Sequence, residues 1–209
     1  PLEQLGTPLL VITTDILGTP RHQTAPTLGA YEEIGDLVPP MISFEALKNT
    51  GFVANRQFTA RITDISGVNT STALAPRVYY RKKSNSNVYI DNSSATDGWK
   101  YTEVATITNN IYSFEIDYSK LYGGVQVGDN IQYFVIAQDV ETNANLSFTS
   151  GKFTTKPESV NLSADNFPIL GVEHYYAISA SLSGVIQVGQ NQPITSLTRP
   201  GGLFELIKG

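Results

Sequence analysis

The chain predicts an all-β fold, an antiparallel β-sandwich of about seven strands, and three observations carry that reading. Tyr occurs 11 times and Phe 9 times against a single Met, a bias toward side chains that suit a half-buried pleated surface better than a helix. Short apolar runs, near the usual strand length of about six residues, alternate with turns rich in Ser, Thr, Asn and Gly. Helical periodicity is sustained nowhere between residues 36 and 157, which disfavours an α/β arrangement.

The first strand is expected at 42–47, closed by the turn KNTG. In the second, at 56–63, Phe58, Ala60 and Ile62 alternate with Gln57, Thr59 and Arg61, and the turn DISG at 64–67 ends it. The third, at 76–82, is centred on VYYRK and followed by the polar SNSN. The turn TDG introduces the fourth at 99–107. The fifth, at 111–117, sets Tyr112, Phe114 and Ile116 against Ser113, Glu115 and Asp117. The sixth, at 130–138, reads NIQYFVIAQ; apolar residues on both faces mark it as a central strand. The seventh is expected at 146–154. Pro-containing stretches, GDLVPP and TTKPES, bound this block as linkers bound a domain.

Taken in order, ARITDISGV (60–68), PRVYYRK (76–82), DGWKYTEV (97–104), YSFEIDYSKLYGG (112–124) and GDNIQYFVIAQD (128–139) resemble the immunoglobulin-like, fibronectin-type domains of very large secreted and surface proteins of Bacteroidetes-type bacteria. The resemblance covers most of 36–157. It implies an immunoglobulin-like sandwich that serves as an extracellular spacer or adhesive module, with no catalytic role. The chain departs from the antibody pattern in having no Cys. Both flanks resemble right-handed parallel β-helix domains: TTDILGTPRHQTAPTLGAYE (13–32) is similar to a closing segment, and 181–209 to an opening one with a capping helix at 202–208. The expected organisation is therefore a β-helix-like closing segment at 1–35, the sandwich at 36–157, a linker at 158–180 and a β-helix-like opening segment at 181–209.

Composition excludes several chemistries. A formal net charge of −5 opposes a nucleic-acid or anionic-membrane surface, which needs a positive field to collect phosphates. Arg81, Lys82 and Lys83 are the one basic cluster, read as a solvated strand end. Without Cys there is no disulfide, thiolate metal site or thiol nucleophile, and no apolar run reaches the roughly 18 residues of a spanning helix. His22 and His174 lie in separate flanks without a nucleophile motif and are expected at the surface. Arg21 is expected to tie a loop by bidentate hydrogen bonds. No enzyme activity is expected.

Two candidate binding constellations remain. Tyr79, Tyr89 and Tyr101 belong to an aromatic concentration that would stack on sugar rings if it faced outward; the alternative is that these rings are core or cover a sheet face. Asp64, Asp139 and Glu141 follow strand ends, and if their turns share one end of the sandwich they form an oxygen-rich Ca²⁺ site. Otherwise each carboxylate organises its own turn, and no cofactor is expected. The stretch DNSSATDG at 91–98 lacks the ligand spacing of an EF-hand loop and reads as a long turn. The expected function is a non-catalytic extracellular structural or adhesive spacer whose partners are neighbouring modules of the same chain. The alternative is a carbohydrate-binding accessory module of a secreted polysaccharide-degrading enzyme, with surface polysaccharide as partner.

Overall fold

Strict alternation in RQFTARIT sends Ala60 and Ile62 into the protein and Thr59 and Arg61 to solvent, and the same rule orders most of the molecule. The structure, a computed structural model, describes residues 5–32, 36–180, 184–199 and 202–206. Its strands are β1 (Met41–Ser43), β2 (Arg56–Thr63), β3 (Arg77–Lys82), β4 (Lys100–Glu103), β5 (Thr106–Thr108), β6 (Ile111–Ile116), β7 (Asn130–Gln138), β8 (Leu146–Phe148), β9 (Lys152–Phe153), β10 (Ile169–Leu170) and β11 (His174–Ala177). One sheet has the order β1-β2-β6-β5, and the other β11-β7-β3-β4 with β8 also on β7. All strand pairings are antiparallel.

The two sheets face each other across a core of Ala60, Ile62, Tyr112, Phe114 and Ile116 from one side and Val78, Tyr80, Ile131, Tyr133, Val135 and Tyr176 from the other. Asn109 and Asn110, at φ 50° and 64°, make the two-residue hairpin between β5 and β6. Positive φ at both central positions matches the twist of the flanking strands, and Asn tolerates it better than most residues.

The expected fourth strand is two strands in two sheets. Val104 N still donates to Pro76 O beside β3, whereas Ala105 N donates to Ser113 O on β6. The chain thus crosses from one sheet to the other between adjacent residues. The expected seventh strand is broken in the same way: β8 pairs with β7, and β9 pairs with β10. Between them Gly151 holds φ +82°, where a Cβ would lie 2.5 Å from an Ile169 side-chain carbon.

The central strand β7 is covered on both faces, as its composition predicts, but the cover on the second face comes from 158–180. This stretch, expected as a linker, contributes Val160, Leu162, Phe167 and Ile169 to a second core with Tyr79, Trp99, Phe134 and Ile136. It then supplies β11, whose His174 to Ala177 pair with Tyr133 to Asn130. Side chains of β7 and of the β3–β4 loop satisfy its backbone: Gln138 Oε1 accepts from Val160 N at 2.9 Å, and Asn87 Oδ1 accepts from Ile169 N at 3.1 Å. The strap hides its polar main chain by side-chain hydrogen bonds and needs little ladder of its own.

Two expectations about charged and titratable residues are corrected. Arg81 and Lys82 are buried, Arg81 with its guanidinium over the Trp99 ring, and of the basic cluster only Lys83 is exposed. His174 packs between Phe44 and Tyr133, with ring centroids 5.2 and 5.6 Å away, and is not a free surface residue.

Each flank has its own local order. Arg21 donates to the carbonyls of Thr27 and Gly29 and to Glu32 Oε2, and Asp15 accepts from the backbone of Leu17, Thr19 and Glu32. The helix Leu203–Leu206 falls inside the expected capping helix at 202–208; residues 207 and 208 lie outside the described residues.

Candidate metal centre

Three chain segments meet at the end of the sandwich where β2 and β7 finish. The DISG turn leaves β2 and runs back along the end of β7: Val68 bridges Asp139, Asn69 N donates to Gln138 O, and Val140 N donates to Gly67 O. Asp64 and Asp139, 75 positions apart by their numbers, thereby share one end. The incoming segment ahead of β1 passes over the same place because Met41 pairs with Thr63. Asp36 Oδ2 accepts from Ser66 N at 3.3 Å, and Asn145 Nδ2 reaches both Asp36 O and Asp139 Oδ2 at 2.6 Å.

The result is a triad of carboxylates, Asp36, Asp64 and Asp139, each offering an oxygen within 4.8 Å of the others. Asp139 is wholly buried and Asp36 nearly so, at 0% and 4% exposure. Among the described residues no Lys or Arg forms an ion pair with any of the three. Their local roles differ. Asp139 Oδ1 accepts from the backbone of Glu141 and Asn145, and Asp64 Oδ1 takes Ser66 N, Ser66 Oγ and Gly67 N. Asp64 Oδ2 is closed off from water and meets no donor. Burial raises the Asp64 pKa above the ordinary carboxylate value, opposed by the Ser66 hydroxyl, and the Asp36 charge raises it further.

The sequence reading therefore finds two of the three carboxylates. Asp64 and Asp139 come together, whereas Glu141 contributes a backbone N–H to Asp139 in place of a carboxylate. The sequence does not single out Asp36, which precedes the first strand by several residues inside a Pro-containing segment and makes an Asx turn with Val38 N in the fold. An oxygen-only donor set of this kind suits a hard cation such as Ca²⁺, which binds oxygens at about 2.3–2.6 Å, and the three carboxylates bring oxygens within 4.8 Å of one another.

The tyrosines form no comparable site. Tyr79 is fully buried, stacked on Phe134 at 5.4 Å, and burial pushes its phenol up to about 12. Tyr89 stacks on Phe167 at 5.7 Å, and the Arg77 guanidinium lies 4.5 Å from the Tyr101 ring centre. One ring cannot meet a sugar, and the other two are half-buried with partners already against them. The loop at 91–98 holds a cation of its own: Lys100 Nζ, fully buried, donates to Asp91 O at 2.9 Å and Thr96 Oγ1 at 2.8 Å. Among the described residues no helix is long and apolar enough to cross a membrane. Comparison with family models, with curated proteins and with solved structures gives no match for this chain.

Proposed function

We propose that the chain is a non-catalytic spacer module, immunoglobulin-like in type, of a large extracellular or surface-exposed bacterial protein, and that it separates neighbouring modules of its own chain. One observation carries this reading. The incoming segment is tied by Asp36 and Asn145 at the Asp139 end of β7, and the outgoing segment leaves from Ala177 beside Asn130, at the other end. The nine residues of β7 separate the two points by about 30 Å. A chain that enters and leaves a rigid sandwich at opposite ends extends its neighbours along one axis.

Small-angle scattering from the chain and from a tandem fusion of two copies through their own flanks tests this. The expected result is an elongated particle whose maximum dimension grows by at least about 30 Å with the second copy. A tandem whose two copies fold back on each other would refute it.

A second reading, a carbohydrate-binding accessory module, draws on an open groove of about 510 Å³ on the outer face of the first sheet. Gln57, Thr59, Thr106, Ser113 and Glu115 line it with hydroxyl, amide and carboxylate groups that suit a polyol. Binding of soluble polysaccharides that Glu115→Ala and Gln57→Ala abolish would favour this reading over the spacer.

A further inference from the structure

We propose that Asp36, Asp64 and Asp139 bind a Ca²⁺ ion that clamps the incoming segment onto the end of the sandwich. The three carboxylates converge from a segment before β1, the turn after β2 and the residue after β7, with ligand oxygens all within 4.8 Å of one another. Convergence of acidic groups alone would not identify a site. The second observation is Asp64 Oδ2, a carboxylate oxygen shut away from solvent with no donor, while its sister atom Oδ1 accepts three hydrogen bonds. A buried charged oxygen without a partner is strongly unfavourable. No Lys or Arg among the described residues answers it by an ion pair.

Ca²⁺ fits better than Mg²⁺. An ion bound at about 2.3–2.6 Å in irregular geometry accepts carboxylates held by three separate segments, whereas Mg²⁺ demands near-ideal octahedral contacts at about 2.0–2.1 Å. Three protein carboxylates leave positions for water or carbonyl oxygens, as is usual for Ca²⁺. The site does not depend on the spacer role, because calcium binding and the shape of tandem copies are read by separate measurements.

The test is titration calorimetry of the chelator-treated chain with CaCl₂, paired with thermal melting in Ca²⁺ and in EDTA. One Ca²⁺ per chain and a higher melting temperature in Ca²⁺ are expected, with both effects lost in Asp64→Asn and kept in Glu141→Gln. Asp64→Asn retains an Oδ1 acceptor for Ser66 and Gly67, so the variant can still form the turn. Absence of Ca²⁺ binding by the folded wild-type chain overturns the proposal, as does binding that Asp64→Asn leaves intact. A wild-type chain that ignores Ca²⁺ while Asp64→Asn raises its melting temperature would assign the cluster to a shared proton.

Discussion

The Tyr79 hydroxyl donates to the Val160 carbonyl across 81 residues of sequence at 3.0 Å, and it accepts from Leu162 N at the same distance. One phenol on β3 thus satisfies both a carbonyl and an amide of the strap that covers the second sheet. Its own ring is fully buried, so the bonds lie out of reach of water.

Tyr79→Phe keeps the ring and removes only this pair of bonds. It is expected to destabilise the chain by about 1–3 kcal/mol, because the buried Val160 carbonyl and Leu162 amide each lose a partner and keep only the 3.2 Å bond between them. Denaturant titration measures the loss, and amide exchange at Leu162 should accelerate with it. A variant as stable as the wild type would show that the strap is not held there.

Trp99→Ala is expected to cost about 3–5 kcal/mol, the range for deleting a large core aromatic. The ring is fully buried against Phe134 and Phe167, and Nε1 donates to Asn87 Oδ1 at 2.8 Å. A loss under about 1 kcal/mol by chemical denaturation would place the ring outside the core.

The boundary of the sandwich can be checked by truncation. A chain covering 36–180 is expected to unfold cooperatively as one unit, whereas one ending at Lys156 lacks Val160, Leu162, Phe167 and β11 and exposes Trp99 and Phe134. Dye binding and a broadened melting transition are the expected signs in the shorter chain. Equal stability of the two would return 158–180 to the status of a linker.

His174 predicts a pH dependence. Burial lowers its pKa below the ordinary 6.5, and a hydrogen bond with the Thr149 backbone only partly opposes this. The unfolded chain therefore takes up the proton first, so the neutral ring contributes its full stability above the unfolded value of 6.5 and loses it as pH falls through and below that value. Urea midpoints at about pH 7.5 and 5.5 should differ in that sense. His174→Phe, which keeps a ring between Phe44 and Tyr133, should flatten the difference; an unchanged difference would assign it to other groups.

The parts of the fold legible from sequence are those written in alternation. β2 occupies the expected positions, because RQFTARIT keeps a two-residue period up to the DISG turn. The crossover between Val104 and Ala105 carries no Gly or Pro and breaks no pattern, so two strands read as one. The strap reads as a linker because Val160 and Leu162 are isolated among polar residues, and the partners of Val160, Leu162 and Ile169, namely Gln138, Tyr79 and Asn87, lie far away in sequence. The carboxylate cluster was half legible for the same reason. Asp64 and Asp139 follow readable strands, whereas Asp36 is positioned by Ser66 and Asn145, contacts that only the folded chain brings about.

The two terminal strands of the sandwich have a mechanical consequence. β1 runs away from the end where the chain comes in, and β11 runs toward the end where it departs. Tension applied between those ends pulls each strand along its own axis, past β2 and past β7. Ladder hydrogen bonds lie across the strands, so they bear that load together instead of opening one by one as in a peeled hairpin. Force acts first on the Asp36 and Asn145 tie and then on each terminal strand in shear, a geometry that resists stretching better than peeling the same few short ladders would.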